Sequence, residues 1–253
     1  LKIKYIPIIH GGNIEFRLNK YPRLSNMLFK NATINISPSI FIFEVFKKFD
    51  YQVQFLPNSI DLKSYNFKER SALSPKLLWV RSFHELYNPQ MAIEVVRVLK
   101  KDYKNIKLCM VGPDKDGSIQ KCKNLANKYG LKRNVSFTGL LDRFDWINLS
   151  EDYDIFINTT NADNMPLSVI EAMALGFPVI STNAGGLKFL HEDGHDALLG
   201  DKKDVNKMVS NIKLILKDRS LAQGLSKNAR IKAEKYDWEK YIRHHWFDLI
   251  NQH

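Results

Sequence analysis

The sequence predicts an α/β protein whose parallel sheet is covered by helices on both faces. Two observations carry that prediction. From residue 76 onward, apolar, β-rich runs recur at 76–80, 106–111, 135–137, 154–158, 178–181 and 197–199. Helical patterns fall between most of them, and strands that alternate with helices pair in parallel. Six such strands suit a doubly wound, Rossmann-like domain, in which ligands bind beyond the carboxyl ends of the strands.

In chain order, residues 1–60 read as the end of a different α/β unit. A strand over 3–9 ends at His10-Gly11-Gly12. Residues 14–30 are basic and apolar by turns, and Pro22 breaks any long helix there. Two further short strands are expected at 32–37 and 54–56. The polar, weakly periodic stretch 58–75 reads as a linker. In the larger unit, Asn88 can cap a helix that opens on Pro89 and carries Met91, Ile93, Val95, Val96, Val98 and Leu99. A second helix runs over 118–129 and stops at Gly130. A third covers 142–150 with Trp146 and Leu149. The helix over 166–175 has Pro166 in its first turn and Gly176 just past its end. Three more follow the last strand, over 205–216, 220–235 and 238–250. Along the last of these, Trp238, Tyr241, Ile242, His245 and Leu249 form a stripe suited to packing.

Composition narrows the function classes. The chain has 253 residues, 44% of them apolar, enough for a sizeable core in one large or two ordinary domains. No apolar run approaches the ~20 residues of a membrane span, and no short-period repeat appears. Cys109 and Cys122 lie in a strand-like run and on a helix face, and read as reduced core residues of a cytosolic protein. Residues 1–75 hold 8 Lys and 3 Arg against 3 Glu and 2 Asp, or +6 of the net +11. Such a field favours phosphorylated substrates, anionic lipid or nucleic acid. No recognition motif accompanies the charge, so nucleic acid is the weakest of these.

The stretch from Asp163 to Gly176 is the most informative. Asp163 and Glu171 stand eight residues apart, and Glu171 sits among Leu167, Val169, Ile170, Ala172, Met173, Ala174 and Leu175. A carboxylate buried in such a helix needs a partner, either a protein donor or a ligand hydroxyl.

These residues resemble the glutamate–seven residues–glutamate motif of retaining glycosyltransferase family 4. The resemblance runs on through Ala172 to Thr182, Gly185-Gly186 and Glu192-Asp193-Gly194. Upstream it takes in Met110-Val111-Gly112-Pro113, 135–139 and 154–158, and Asn58 to Asp61 looks like the interdomain signature. It implies two Rossmann-like domains facing across a cleft: 1–60 as the second half of the acceptor domain, 61–75 a linker, 76–236 the donor domain, and 237–253 a helix crossing back. Roughly 100 residues would then be missing ahead of Leu1.

The resemblance also implies roles. Asp163 would meet the donor sugar's hydroxyls, Arg81 the diphosphate and His10 the acceptor. Glu171 would take the ribose hydroxyls. Gly112, Gly139, Asn164, Met165, Pro166, Leu167, Gly185 and Gly186 would line the donor site, with backbone N–H groups near Met165 and Leu167 on the phosphate. The donor is a nucleoside-diphosphate sugar, the acceptor a polysaccharide or lipid-linked glycan, and no metal or cofactor is expected. Residues 14–30 read either as a surface resting on anionic membrane at the cytoplasmic face or as helix packed on its own domain. Four positions depart from the pattern: Asp163 replaces a Glu, Asn164 a Gly, Phe189 a frequent Glu, and Tyr87 stands near the place of a phosphate-gripping Lys. A sugar-nucleotide epimerase or phosphorylase, and a non-catalytic sugar-nucleotide-binding protein, remain alternatives.

Overall fold

The structure, a computed structural model, describes residues 4–252 apart from Gly12 and Ser71. Ile3 of the first expected strand and Gly12 of the following turn therefore lie outside the described residues.

The larger unit is a six-stranded, all-parallel sheet of β3 (Lys76–Val80), β4 (Lys107–Val111), β5 (Val135–Gly139), β6 (Ile155–Asn158), β7 (Val179–Thr182) and β8 (Leu198–Gly200). Its spatial order is β5-β4-β3-β6-β7-β8. The order reverses between β3 and β6, and that switch point opens a crevice at the carboxyl ends of both strands. Successive side chains of β3 and β4 point to opposite faces. Leu77, Trp79, Leu108 and Met110 join a buried cluster with α4 (Pro89–Leu99), α5 (Ser118–Lys128) and α9 (Val205–Lys217). Leu78, Cys109 and Val111 join the other, with Trp146 of α6 (Arg143–Ser150), α7 (Leu167–Ala174), Leu187 and Leu190 of α8 (Leu187–Leu190), and Ala229 and Ala233 of α10 (Arg219–Glu234). Each such Leu or Val stabilises the fold by about 1.5–3 kcal/mol over its exposed state.

Residues before the linker form a smaller unit. Strands β1 (Asn35–Ser37) and β2 (Val53–Phe55) pair in parallel, joined by α3 (Ile40–Lys48), whose cap Ser39 accepts from the Ile42 N–H at 3.2 Å. The segment 14–30 is two helices, α1 (Ile14–Lys20) and α2 (Pro22–Phe29), split where Pro22 opens the second. Among its described residues, the expected strand over 3–9 is reduced to a single bridge, Ile8 to Ile36. Pro7 lacks an N–H and only accepts, from Ile36 at 2.8 Å, so no ladder extends through it.

Three other local expectations are corrected. Pro166 stands at the cap of α7 rather than inside its first turn. Asn88 adopts a left-handed φ of 47° and makes no side-chain cap bond. The final stripe has a different phase: the chain closes a wide π-turn over Trp238–Ile242 before α11 (Arg243–Gln252). Ile242 and Leu249, with Trp238 and Trp246 against them, pack on Ile36 and Leu56, while Tyr241 and His245 face solvent.

The stretch between the units is held along its length. Ile60 exchanges hydrogen bonds with Tyr236 and Trp238, each at 2.9 Å. Tyr65 is fully buried, and Arg70 stacks 3.6 Å from the Phe177 ring while donating to the carbonyls of Tyr153, Lys68, Leu175 and Ser150. Burial pulls the Arg70 guanidinium down to about 10. Cys109 and Cys122 are buried free thiols.

Candidate active site

The carboxyl ends of β3, β4, β6 and β7 bring most of the candidate residues to one place. His10, Arg81, Asp163, Asn164, Met165, Pro166 and Leu167 line a cavity of about 220 Å³, together with Pro38 and Asn58. Among the described residues that line it, Arg81 is the only Lys or Arg. Larger grooves of about 390 and 570 Å³ lie at the opposite end of the sheet, beside Lys107, Lys132 and Arg133.

Glycines bring the backbones of this site together. Gly112 has φ 145°, and a Cβ there would stand 1.9 Å from the Arg81 carbonyl oxygen. Its N–H donates to the Gly139 carbonyl at 2.8 Å. Gly185 and Gly186 press on the loop that carries Asp163: a Cβ would meet the Asp163 carbonyl oxygen at 2.2 Å and the Asn164 carbonyl oxygen at 1.8 Å respectively. Any larger residue at these positions displaces the loop. Gly112, Gly185 and Gly186 thus shape the site from behind, Gly139 contributes only the carbonyl that holds Gly112, and none of the four lines the cavity.

Asp163 is 9% exposed. Its Oδ1 accepts from the Asn164 N–H at 2.9 Å, and Arg81 Nη2 comes within 2.7 Å of its Oδ2. That approach is close but poorly aligned, since Oδ2 and Arg81 Nε both remain buried without a hydrogen bond. Asn164 Nδ2 donates to the His10 carbonyl at 3.0 Å, and Asn164 Oδ1 is likewise unpartnered. Burial pushes the Asp163 carboxyl above the usual aspartate range; Arg81 and the Asn164 N–H oppose it without cancelling it.

Glu171 lies a turn deeper on α7 and does not line this cavity. Its partner within the protein is Tyr65, whose Oη donates to Oε1 at 2.6 Å. Burial raises the Glu171 carboxyl, and the Tyr65 hydroxyl and the charge of Arg143 pull it back in part. Tyr65 itself is pushed well up, by burial first and then by Glu171. No hydrogen bond to Oε2 is made among the described residues. Tyr65 was missed in the sequence: it sits 106 residues from its partner, in a stretch that reads as linker.

Tyr87, beside the expected Lys position, lies against Arg81, with the guanidinium carbon 4.2 Å from the ring centroid. Phe189 is exposed on α8 and lines a small neighbouring groove.

The sequence model of the Glycosyl transferases group 1 family matches residues 64–232, more than half of the chain. The chain belongs to this family. Within it, the chain is 30% identical over 123 residues to the sulfoquinovosyl transferase SQD2 of Arabidopsis thaliana, which covers 44% of the chain and 24% of that protein. Over 254 residues it is 24% identical to an uncharacterized glycosyltransferase of Methanocaldococcus jannaschii, covering 96% of the chain and 67% of the relative. The chain thus spans from a quarter to about two thirds of these relatives' length. The fold of this group 1 member superposes on HepE of Anabaena, solved with UDP-glucose, at a TM-score of 0.87 and 16% identity, over 99% of the chain and 72% of HepE.

Proposed function

We propose that this chain binds a nucleoside-diphosphate sugar in the cleft at the switch point and transfers the sugar, with retention of configuration, to a polysaccharide or lipid-linked glycan. The observation that carries the reading is the set of unpartnered polar atoms at one cavity. Arg81 Nε lacks an acceptor, Asn164 Oδ1 lacks a donor, and Asp163 Oδ2 has only the misaligned Arg81 Nη2 beside it. A ligand that satisfies all three offers an anionic oxygen and hydroxyls side by side, as a sugar diphosphate does.

Breaking the bond from sugar to diphosphate places positive charge on the ring and negative charge on the leaving phosphate. Arg81 and the backbone N–H groups around Met165 and Leu167 face that phosphate. Asp163 orients the sugar, and Glu171 Oε2 takes a ribose hydroxyl. The leaving phosphate accepts the acceptor's proton, on the side where His10 lies. In this reading no metal or cofactor takes part. The acceptor approaches from α1 and α2, where exposed Phe16, Tyr21, Leu24 and Met27 lie among Arg17, Lys20 and Arg23. That mixture suits an anionic membrane at the cytoplasmic face. Vesicles containing phosphatidylglycerol should sediment with the chain, and Arg17→Glu with Lys20→Glu should release it. No helix among the described residues is long and apolar enough to cross a membrane.

The test uses donors labelled with carbon-13 at the anomeric carbon, followed by NMR with glycan acceptors. Retention predicts a new glycosidic signal with the donor's own anomeric configuration. Inversion, a rearranged donor, or release of sugar phosphate in place of transfer would each overturn the proposal. A donor bound but never turned over would leave the chain a binding protein.

A further inference from the structure

Among the described residues that line the cavity there is one cation, Arg81, where the resemblance implies two, and Tyr87 stands near the place of the second. Its location is fixed from several sides. Thr159 Oγ1 donates to the Tyr87 carbonyl at 3.0 Å, and the same hydroxyl accepts from the buried Trp79 Nε1 at 3.0 Å. The Tyr87 N–H donates to the His84 carbonyl at 2.9 Å. The neighbouring Leu86 carbonyl accepts the Asn161 N–H at 2.8 Å. The Tyr87 backbone is therefore anchored to the ends of both β3 and β6, and its half-buried ring packs against the core cluster that contains Trp79 and Met91. The ring covers one face of the Arg81 guanidinium, while the Asp163 carboxylate stands 2.7 Å from Nη2 at one edge as an ion pair. A planar cation held at its face and one edge can present Nε–H in only one direction.

We propose that Tyr87 is a positioning residue for the donor's diphosphate: it aims Arg81 so that the unpartnered Nε–H meets a phosphate oxygen. One oriented cation then takes the place of two mobile ones, and a Lys at this position would add charge but remove the surface that orients Arg81. The inference rests on the sugar-nucleotide reading given above. A cation–π contact shielded from water contributes enough to change phosphate affinity roughly tenfold.

The experiment is a calorimetric titration of inorganic pyrophosphate, of UDP, GDP and ADP, and of the matching nucleosides into the wild-type chain and two variants. Tyr87→Phe keeps the ring and should stay within about threefold of wild type. Tyr87→Leu should weaken pyrophosphate and the bound nucleoside diphosphate roughly tenfold while leaving nucleoside affinity unchanged. Equal affinity in Tyr87→Leu overturns the inference, and so does an equal loss for the nucleoside, which marks a merely structural role. Should Tyr87→Leu fail to fold, the wild-type Arg81 Nε–H resonance decides. Ring-current shielding and a further shift at saturating pyrophosphate support the inference; a resonance unmoved by pyrophosphate overturns it. Pyrophosphate binding with no nucleoside diphosphate bound would sink the sugar-nucleotide reading alone. No binding of either would sink both.

Discussion

At the residue scale, Glu171 is tied into the fold through one oxygen and, in the proposed function, meets the donor with the other. Its carboxyl is raised by burial, so holding it ionised costs stability that a neutral isostere does not lose. Gln in its place still accepts the Tyr65 hydroxyl through its carbonyl oxygen. Glu171→Gln should therefore melt no lower than wild type at neutral pH, yet bind nucleoside diphosphate about tenfold more weakly, since a ribose hydroxyl bonds a charged acceptor more strongly. Differential scanning fluorimetry and calorimetry on the same preparation check both halves. A drop in melting temperature with unchanged affinity would make Glu171 purely structural. Sequence alone shows that Glu171 needs a partner but leaves it open between protein and ligand. The structure supplies Tyr65 for one oxygen, and a contact between residues 106 apart leaves no local pattern to read.

At the scale of elements, α8 and α10 are joined by a buried polar cluster outside the cleft. His191 Nδ1 lies 2.8 Å from Asp196 Oδ1, and Lys232 Nζ bonds Asp196 Oδ2 and the Leu190 carbonyl. Burial holds His191 below the ordinary histidine value near 6.5. Burial pushes Asp196 up, but His191 and Lys232 outweigh it and leave its carboxyl lowered. Both shifts have the same sign of linkage: the unfolded chain takes up protons at the ordinary values and the folded chain only at lower pH. Stability is present in full above about pH 6.5 and falls first as His191 is passed, then again below the usual aspartate range. Thermal melts from pH 8 to pH 5 should show that first decline, and His191→Asn should melt lower throughout but lose it. A wild-type melting temperature flat across this range would contradict the assignment. The strands and longer helices of the large sheet were legible because their apolar runs and glycine stops are local signals. The wide turn at 238–242 was not: its i-to-i+5 bond from Ile242 to Asp237 is set by tertiary packing, and it rotated the stripe that followed.

At the scale of the whole molecule, the two units share a core through the C-terminal helix. Ile242 and Leu249 are almost wholly buried against Ile36 and Leu56, and Asn58 Nδ2 donates to the Met165 carbonyl at 2.9 Å beside the cleft. Ile242→Ala should cost about 2–4 kcal/mol, measured by denaturant unfolding, with the units still melting in one transition. A loss under about 1 kcal/mol would mean that this seam bears little of the stability. The doubly wound sheet was legible from strand–helix alternation, and the position of the cleft followed from the switch-point rule. The partnering of Arg81 with both Tyr87 and Asp163 was not, because it depends on how three loops meet in space.

The central claim is that the cavity bounded by Arg81, Asp163 and Asn164 holds the diphosphate of a sugar nucleotide. A titration of UDP, GDP and ADP into wild type and Arg81→Ala tests it most directly. At least one of the three should bind the wild-type chain with one site per molecule. Its affinity should fall by at least roughly tenfold in Arg81→Ala, as loss of a charge-assisted contact requires. No binding at about millimolar nucleotide, or binding that Arg81→Ala leaves unchanged, would contradict it.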